Sequence, residues 1–235
     1  MTGLHMEFSG PESGIPLVLL HGFGGDGSAW APVKAGLPDS VRVITVDLPG
    51  HGGSLNSEGR GGAGRMAKTI LAGLDAAGVG SFHLAGHSMG GAVSALIAMR
   101  APDRVQSLTL VAPGGMAKDI NAGLLARYAK ATSEAEIRAC LNEMSAPGFV
   151  TSDAVVDHFV AARSKPGVLE ALYETYQSMF PNGPDEGQGV LPTDALAALA
   201  MPVFVIWGTQ DTVLPCPSPS ALPASFAFSV LPELG

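Results

Sequence analysis

The chain has 235 residues, of which 46% are hydrophobic and 14% are charged, and its formal net charge is −8 at pH 7. This length suits one α/β domain with a full core, and a charged share well below the usual value of about 25% excludes a disordered chain. The negative charge argues against nucleic acid or an anionic membrane as a partner.

The amino end, M-T-G-L-H-M-E-F, has neither a basic stretch nor a long apolar run. We therefore expect no signal peptide, and the apolar run over residues 15–20 is far shorter than the ~20 residues that span a bilayer. The two cysteines, Cys140 and Cys216, are far apart in the sequence. This pattern predicts a reduced, cytoplasmic protein in which both thiols are structural.

Strand and helix patterns alternate through the first half of the chain. The strand patterns cover residues 4–8, 15–20 and 41–46, and the helix patterns cover residues 28–37 and 65–77. Such alternation predicts a parallel, doubly wound sheet with helices on both faces. The run H-G-F-G-G-D-G follows the second strand, at the sheet edge where open α/β folds bind ligands. A plain glycine-rich turn has the same composition.

The third strand ends in a loop that reads D-L-P-G-H-G. Asp47 and His51 in this loop suggest a catalytic role. Acidic, glycine-rich loops at strand ends usually serve their own turn hydrogen bonds, however. We therefore expect these two residues to stabilise the loop.

The central stretch, residues 81–91, reads S-F-H-L-A-G-H-S-M-G-G. It predicts a short strand, then Gly86, Ser88 and Gly90 in the spacing G-x-S-x-G, then a helix over residues 92–100. A sharp turn between strand and helix can hold a serine hydroxyl out beside a base. The glycines are needed there because a side chain would collide with the neighbouring strand and helix. A glycine-rich turn with an N-cap serine is the alternative for this motif alone.

The pattern changes after a further strand at residues 107–111. Residues 117–199 contain no strand pattern, and we interpret their proline-punctuated helical stretches as a cap over the carboxyl edge of the sheet. Those stretches are residues 122–131, 134–144, 152–162 and 168–179. His158 is expected to form a surface pair with Asp157. The apolar cap residues that could line a pocket, or merely pack the helices together, are Met116, Leu124, Tyr128, Met144, Phe149, Phe159, Tyr173, Met179 and Phe180.

Strand patterns at residues 203–207 and 226–231 complete the sheet, and Asp211 follows the first of them. Asp211 and Ser88 come at the same sheet edge, so the carboxylate can be brought within reach of a histidine; a turn-forming aspartate is the alternative. The expected organisation is a core in two parts, residues 1–116 and 200–235, around the cap at residues 117–199.

These pieces together resemble the α/β-hydrolase fold family. The matching motifs are L-L-H-G-F-G-G, D-L-P-G-H-G-G-S, L-A-G-H-S-M-G-G-A, L-V-A-P and V-I-W-G-T-Q-D. The resemblance implies a mostly parallel central sheet with a helical cap between its sixth and seventh strands. More narrowly, the chain is similar to the hydrolase domain of acetoin-dehydrogenase-type acyltransferase components, to enol-lactone hydrolases and to C–C bond hydrolases of aromatic degradation. No lipoyl-type domain precedes the hydrolase part, so we expect no acyltransferase role.

The resemblance also implies a role for individual residues. Ser88 would be the nucleophile, and the backbone N–H groups of Phe23 and Met89 would form the oxyanion hole. Asp211 would orient the catalytic histidine and stabilise its cationic form. The resemblance implies no cofactor and no metal.

The catalytic histidine of the family follows the last strand in a P-x-x-G-H stretch, whereas this sequence reads P-E-L-G and stops. His21, His51 and His87 match positions that shape loops, and His158 in the cap is the one other histidine that could swing in. The catalytic histidine is therefore expected to be absent from this chain. We expect a fragment of a longer reading frame; a real truncation is the competing explanation.

The sequence thus predicts a cytoplasmic serine hydrolase of small, mostly apolar ester, lactone or C–C substrates, active in a form that carries the histidine and impaired without it. A non-catalytic hydrolase-fold protein that binds a small molecule is the alternative from another class. A haloperoxidase-like perhydrolase would use the same groups. A homodimer is compatible with the sequence.

Overall fold

The computed structural model of the protein describes residues 3–232. Within them, the centre is a seven-stranded sheet. Its strands are β1 Met6–Ser9, β2 Leu17–Leu20, β3 Val43–Val46, β4 Phe82–His87, β5 Val105–Val111, β6 Val203–Gly208 and β7 Ala227–Leu231. Their spatial order is β1-β3-β2-β4-β5-β6-β7; β1 runs antiparallel to β3, and the other neighbours are parallel. The predicted mostly parallel sheet is confirmed.

The helices follow the predicted alternation with small shifts at their ends. They are α1 Ala31–Gly36, α2 Ala63–Ala76, α3 Met89–Arg100, α4 Ala122–Lys130, α5 Glu134–Met144, α6 Asp153–Arg163, α7 Val168–Ser178 and α8 Thr193–Ala197. The sequence reading missed α8, because five residues are too few to show a helical period. The first part of the predicted helix over residues 28–37 is instead a 3₁₀ turn, Gly27–Trp30.

Strands β2 and β3 are largely buried on both faces, which is why their sequences read as continuous apolar runs, whereas the edge strands β1 and β7 are partly exposed. Successive residues of β2 point to opposite faces: Val18 and Leu20 belong to the main core that contains α2 and α3, whereas Leu19 packs with Trp30 on the other side. Helix α3 is apolar nearly all round because it is buried in the main core at the centre of the sheet.

Helices α4 to α7 come between β5 and β6 and pack mostly on one another. A capping box of Ser133 and Glu136 begins α5. The Arg163 guanidinium at the end of α6 donates from Nη1 to the carbonyl oxygens of Tyr128 and Ala131, each at 2.6 Å, and so fixes α6 to the end of α4. The sequence places this insertion between the sixth and seventh strands, and the structure corrects that position to between β5 and β6. The count is lower by one because, in the described sheet, a single strand, the antiparallel β1, precedes β2.

Candidate active site

Ser88 occupies a strained turn between β4 and α3. Its backbone has φ 52° and ψ −118°, a region that residues with a side chain rarely adopt. Backbone bonds hold it there: the Ser88 N–H donates to the Val111 carbonyl at 2.9 Å, and the Ser88 carbonyl accepts from Gly91 and Gly114, both at 2.9 Å. Strand β4 extends through His87, beyond the end that the sequence predicts, so the turn is a single residue.

The glycines of the G-x-S-x-G motif have the steric role that the sequence predicts. A Cβ at Gly90 would overlap the carbonyl oxygens of Leu20 and His21 at the end of β2. A Cβ at Gly86 would overlap the Gly90 carbonyl and the Ser94 hydroxyl. Helix α3 can approach the sheet closely only because both side chains are missing.

The glycine-rich loop after β2 lies directly against the serine. A Cβ at Gly22 would be 3.3 Å from Ser88 Cβ and 2.8 Å from His87 Nδ1. The loop is fixed by His21, whose Nε2 accepts from the Leu48 N–H at 2.9 Å and whose Nδ1 lies 2.7 Å from the Gly22 carbonyl. Burial lowers the pKa of His21 to about 4, so the imidazole is neutral and Nδ1 is the donor.

The two expected oxyanion donors lie on either side of Ser88. Phe23 follows Gly22 in the loop, and Met89 is the first residue of α3. Within residues 3–232, neither of these amides donates a hydrogen bond to another group. Both residues border a cavity that Ser88 also lines. These two N–H groups therefore have no partner among the described residues, and for Met89 this is usual, because the first amides of a helix have no partner within the helix.

Two cavities open from Ser88. The apolar cavity, about 220 Å³, lies under the cap and is lined by Phe23, Met89, Met179, Gln188 and Leu191 among others. The acid cavity, about 250 Å³, reaches Asp211 and the end of β7 and is lined by His87, Asp211, Trp207 and Leu231 among others. Ser88 lines both cavities, so a ligand at its hydroxyl can extend into either.

Asp211 follows β6 and borders the acid cavity with Ser88 and His87. Its Oδ1 accepts from the N–H groups of Val213 at 2.9 Å and Leu214 at 2.8 Å. The turn-forming role that the sequence left open is therefore real, and it uses one of the two carboxylate oxygens. Among the described residues, Oδ2 accepts no hydrogen bond.

Within the part of the chain that the structure describes, no histidine hydrogen-bonds to the Ser88 hydroxyl. His87 comes nearest: part of its ring surface is open to the acid cavity. Its pKa is lowered by loss of hydration in the surrounding protein, an effect that the negative charge of Asp211 partly opposes. His83 pairs with the Ser107 hydroxyl at 2.8 Å in the sheet. The stretch after Pro232, on which the missing-histidine prediction depends, lies outside the described residues.

His158 has a different partner from the expected one. Its Nε2 bonds to Asp26 Oδ2 at 2.6 Å, in the loop after β2, and not to Asp157. The sequence could not show this because the two residues are 132 positions apart. The bond joins α6 to the loop after β2, and His158 lines neither of the two cavities at Ser88.

Asp47 and His51 are both buried. Asp47 accepts from the N–H groups of Gly27 and Gly53, both at 2.7 Å, and His51 Nδ1 faces the Pro49 carbonyl at 3.3 Å. Burial lowers the pKa of His51 to about 3. These contacts are the loop-stabilising ones that the sequence suggested.

Few of the cap residues named from the sequence line the cavities. Met179 lines the apolar cavity and Met144 the acid cavity, whereas Leu124, Tyr128 and Phe180 are buried among cap helices. Phe149 is exposed. The sequence reading missed Gln188, Val190 and Leu191, which reach the apolar cavity from an irregular segment before α8. No periodicity marks such a segment, so nothing in the sequence could have found them.

Among residues 3–232, no group of three or more histidine, cysteine or acidic side chains could hold a metal ion. Likewise, no helix there is long and apolar enough to cross a membrane.

The chain matches known proteins over most of its length. A family model described as alpha/beta hydrolase fold matches residues 15–226. The chain is 32% identical over 236 residues to the dihydrolipoyllysine-residue acetyltransferase component of the acetoin cleaving system of Cupriavidus necator, which covers 100% of this chain and 62% of that protein. The corresponding Pseudomonas putida protein is 35% identical over 227 residues, 96% of this chain and 60% of that one. The chain thus spans about three fifths of the length of these relatives.

Other similar proteins are hydrolases. The 2-hydroxymuconate semialdehyde hydrolase of Pseudomonas sp. strain CF600 is 28% identical over 220 residues, 91% of this chain and 76% of that protein. Among solved structures, the 2-hydroxy-6-oxo-6-phenylhexa-2,4-dienoate hydrolase of Rhodococcus sp. strain RHA1 superposes with a TM-score of 0.83 at 24% identity, covering 99% of this chain and 87% of that one. At that identity, the structural likeness concerns the fold.

Proposed function

Because the chain belongs to the α/β-hydrolase fold family, we propose that it is a serine hydrolase of small, mostly apolar ester, lactone or C–C substrates, with Ser88 as the nucleophile. The observation that carries this proposal is the position of Ser88. It is held at φ 52° on a one-residue turn, next to two amides without partners and at the junction of two cavities. Backbone strain of this kind is kept where a function needs the geometry.

The chemistry follows from these neighbours. The Ser88 hydroxyl would attack the acyl carbon, and the amides of Phe23 and Met89 would receive the negative charge that develops on the carbonyl oxygen. One such donor is typically worth about 3 kcal/mol in the transition state. The substrate's apolar group would lie in the apolar cavity beneath residues 117–199, which we propose act as a cap over the core.

Asp211 would orient a histidine base through Oδ2, the oxygen that its own turn leaves unused. The acid cavity lies between Ser88 and Asp211, and Leu231 at the end of β7 borders it. A residue that follows β7 can therefore reach this cavity. We propose that the base comes from there, as the resemblance implies, and not from His87, which precedes the serine on its strand.

A fluorophosphonate probe tests the nucleophile, applied to the chain as printed and to a version lengthened by a histidine after Gly235. Ser88 should be labelled in the lengthened version, and Ser88→Ala should abolish labelling. Ser178→Ala is the matched control, because Ser178 lines the same cavity with its hydroxyl bonded to the Thr175 carbonyl. Labelling that persists in Ser88→Ala would remove this serine from the mechanism.

One observation favours a second function: none of the described histidines contacts the Ser88 hydroxyl. A hydrolase-fold protein that binds a small molecule without turning it over would have this arrangement. Absence of labelling in both versions, together with retained ligand binding in the cavity, would support that alternative.

A further inference from the structure

The apolar cavity beside Ser88 has no charged side chain among its lining residues in the described chain. Its walls are apolar residues and glycines, with Ser88, Ser178 and Gln188 as the only polar side chains in that lining. A cavity of 220 Å³ has room for about seven water-sized groups, the size of a short acyl chain. The charge of the group at the far end of such a chain therefore affects binding.

The polar side chains of this cavity, Ser88 apart, are already bonded. Gln188 is buried, and its Oε1 accepts from the Gly115 N–H at 3.0 Å while its Nε2 donates to the Asp119 carbonyl at 3.4 Å. The Ser178 hydroxyl donates to the Thr175 carbonyl at 2.6 Å. Neither side chain carries a positive charge. When the acyl carbonyl oxygen occupies the amides of Phe23 and Met89, a carboxylate at the far end of the chain would lose its hydration without gaining a partner, which is strongly unfavourable.

Among the described residues, no lysine or arginine lines either cavity at Ser88. In the acid cavity, the titratable side chains are those of His87 and Asp211, and the negative charge of Asp211 would repel a substrate carboxylate. At the rim of the apolar cavity, the exposed Arg65 lies against Gly61, outside the lining, while the nearby Glu174 carboxylate is paired with Arg60 at 3.2 Å. Water and salt screen an exposed charge such as that of Arg65 from a group inside the cavity.

We propose that this site selects neutral acyl groups and rejects those whose chain ends in a carboxylate. The inference rests on the proposed function, because it assigns the apolar cavity to the substrate's acyl group. Selection acts through the cost of removing a charge from water, so it needs no specific contact.

A matched ligand pair tests the proposal on the chain itself. N-methylpentanamide and 5-(methylamino)-5-oxopentanoate share an N-methylamide and an acyl chain with three methylene groups. They differ at the far end of that chain, which is a methyl group in the first and a carboxylate in the second. Titration calorimetry should show binding of the neutral amide at least tenfold tighter than that of the acid. Equal binding, tighter binding of the acid or no binding of the amide would each overturn the proposal.

Two variants sharpen the test. Val190 lines the apolar cavity and is 47% exposed, so it can accept a longer side chain. Val190→Arg should improve binding of 5-(methylamino)-5-oxopentanoate at least tenfold, whereas the neutral control Val190→Gln should not. Arg65→Gln should leave the ratio of the two affinities unchanged; a changed ratio would mean that the rim arginine senses the acid, against the proposal.

The result of the binding titration is independent of the Ser88 labelling experiment, because binding does not require a covalent reaction. Selective binding without Ser88 labelling would sink the proposed hydrolase function and leave the charge selectivity standing. Labelling of Ser88 together with unselective binding would support the proposed hydrolase function and overturn the charge selectivity.

Discussion

Two aspartates follow buried parallel strands at the same edge of the sheet, and the structure uses them differently. Asp47 follows β3 and is 6% exposed. Its Oδ1 accepts from the Gly27 N–H, and its Oδ2 accepts from the Gly53 N–H and lies 3.1 Å from His5 Nδ1. Asp211 follows β6, and Oδ1 alone accepts the two amides of its turn.

The difference shows that the sheet edge alone does not define a functional acid. Asp47 joins the loop after β2 to the loop after β3, and both its oxygens are committed to that connection. Asp211 shapes its own loop with one oxygen and still borders the cavity that contains Ser88. A carboxylate oxygen can accept two hydrogen bonds, so Asp211, with no bond to Oδ2 among the described residues, keeps more acceptor capacity than a carboxylate bonded at both oxygens.

The largest expected effect is that of Asp211→Asn on activity. The amide oxygen can still accept from Val213 and Leu214, so the loop should persist, but the negative charge that stabilises an imidazolium is lost. We expect kcat/KM to fall by about 10⁴-fold in the version lengthened by a histidine, with the free energy of unfolding changed by about 0.5 kcal/mol. Steady-state hydrolysis of p-nitrophenyl butyrate and urea unfolding measure the two quantities.

The same variant can contradict the proposed difference between Asp47 and Asp211. If Asp211→Asn keeps kcat/KM within tenfold of the parent, Asp211 is a turn residue like Asp47 and the proposed triad is wrong. If it instead unfolds the protein, the two aspartates do not differ in the way that their hydrogen bonds indicate.

Asp47→Asn should show the opposite behaviour. An asparagine has one acceptor oxygen, so one of the buried N–H groups of Gly27 and Gly53 would face an NH₂ group. Losing charge-assisted bonds and leaving a donor unpaired should cost about 4 kcal/mol of unfolding free energy. The midpoint of urea unfolding checks this cost. A cost below about 1 kcal/mol would contradict a structural role for this carboxylate.

The sequence predicted the sheet, the helices between β5 and β6 and the serine turn because each depends on local patterns: apolar runs, helical periods and the fixed spacing of Gly86, Ser88 and Gly90. It could not predict which oxygens of Asp47 and Asp211 are committed, since the partners of Asp47 lie in another loop. It also gave His158 the wrong partner, because Asp26 reaches it only through the tertiary fold. Cavity residues in irregular segments, such as Gln188, are not marked by any periodic sequence pattern.

Acid titration should show that the loops around Asp47 contribute to the free energy of unfolding. His21 fixes the Leu48 N–H, next to Asp47, with a neutral ring whose pKa is lowered from 6.5 to about 4 by burial. As the pH falls below 6.5 the unfolded chain takes up this proton first, so stability that is present above that pH is lost towards pH 4, by about 3 kcal/mol. Burial also lowers the pKa of His51, so His51 contributes to the pH dependence of stability in the same direction.

The variant His21→Gln isolates this contribution. It should lower stability at every pH, and near pH 5 its plot of unfolding free energy against pH should be shallower than that of the parent by up to about 1.4 kcal/mol per pH unit. Parallel plots between pH 6.5 and 4 would mean that the His21 ring is not the group that titrates on unfolding.

The smallest expected effect is that of His5→Ala, which removes one partner of Asp47 and keeps the others. The His5 side chain is 57% exposed, so water can replace its contact with Oδ2, and exposed pairs of this kind contribute about 0.5 kcal/mol. The backbone bonds at this position remain in the variant: the His5 N–H still donates to the Ser54 hydroxyl, and its carbonyl still accepts from the Asp47 N–H. Urea unfolding should therefore barely distinguish His5→Ala from the parent, in contrast with Asp47→Asn. A loss comparable to that of Asp47→Asn would assign the stability of this loop to the imidazole contact and not to the two buried amides.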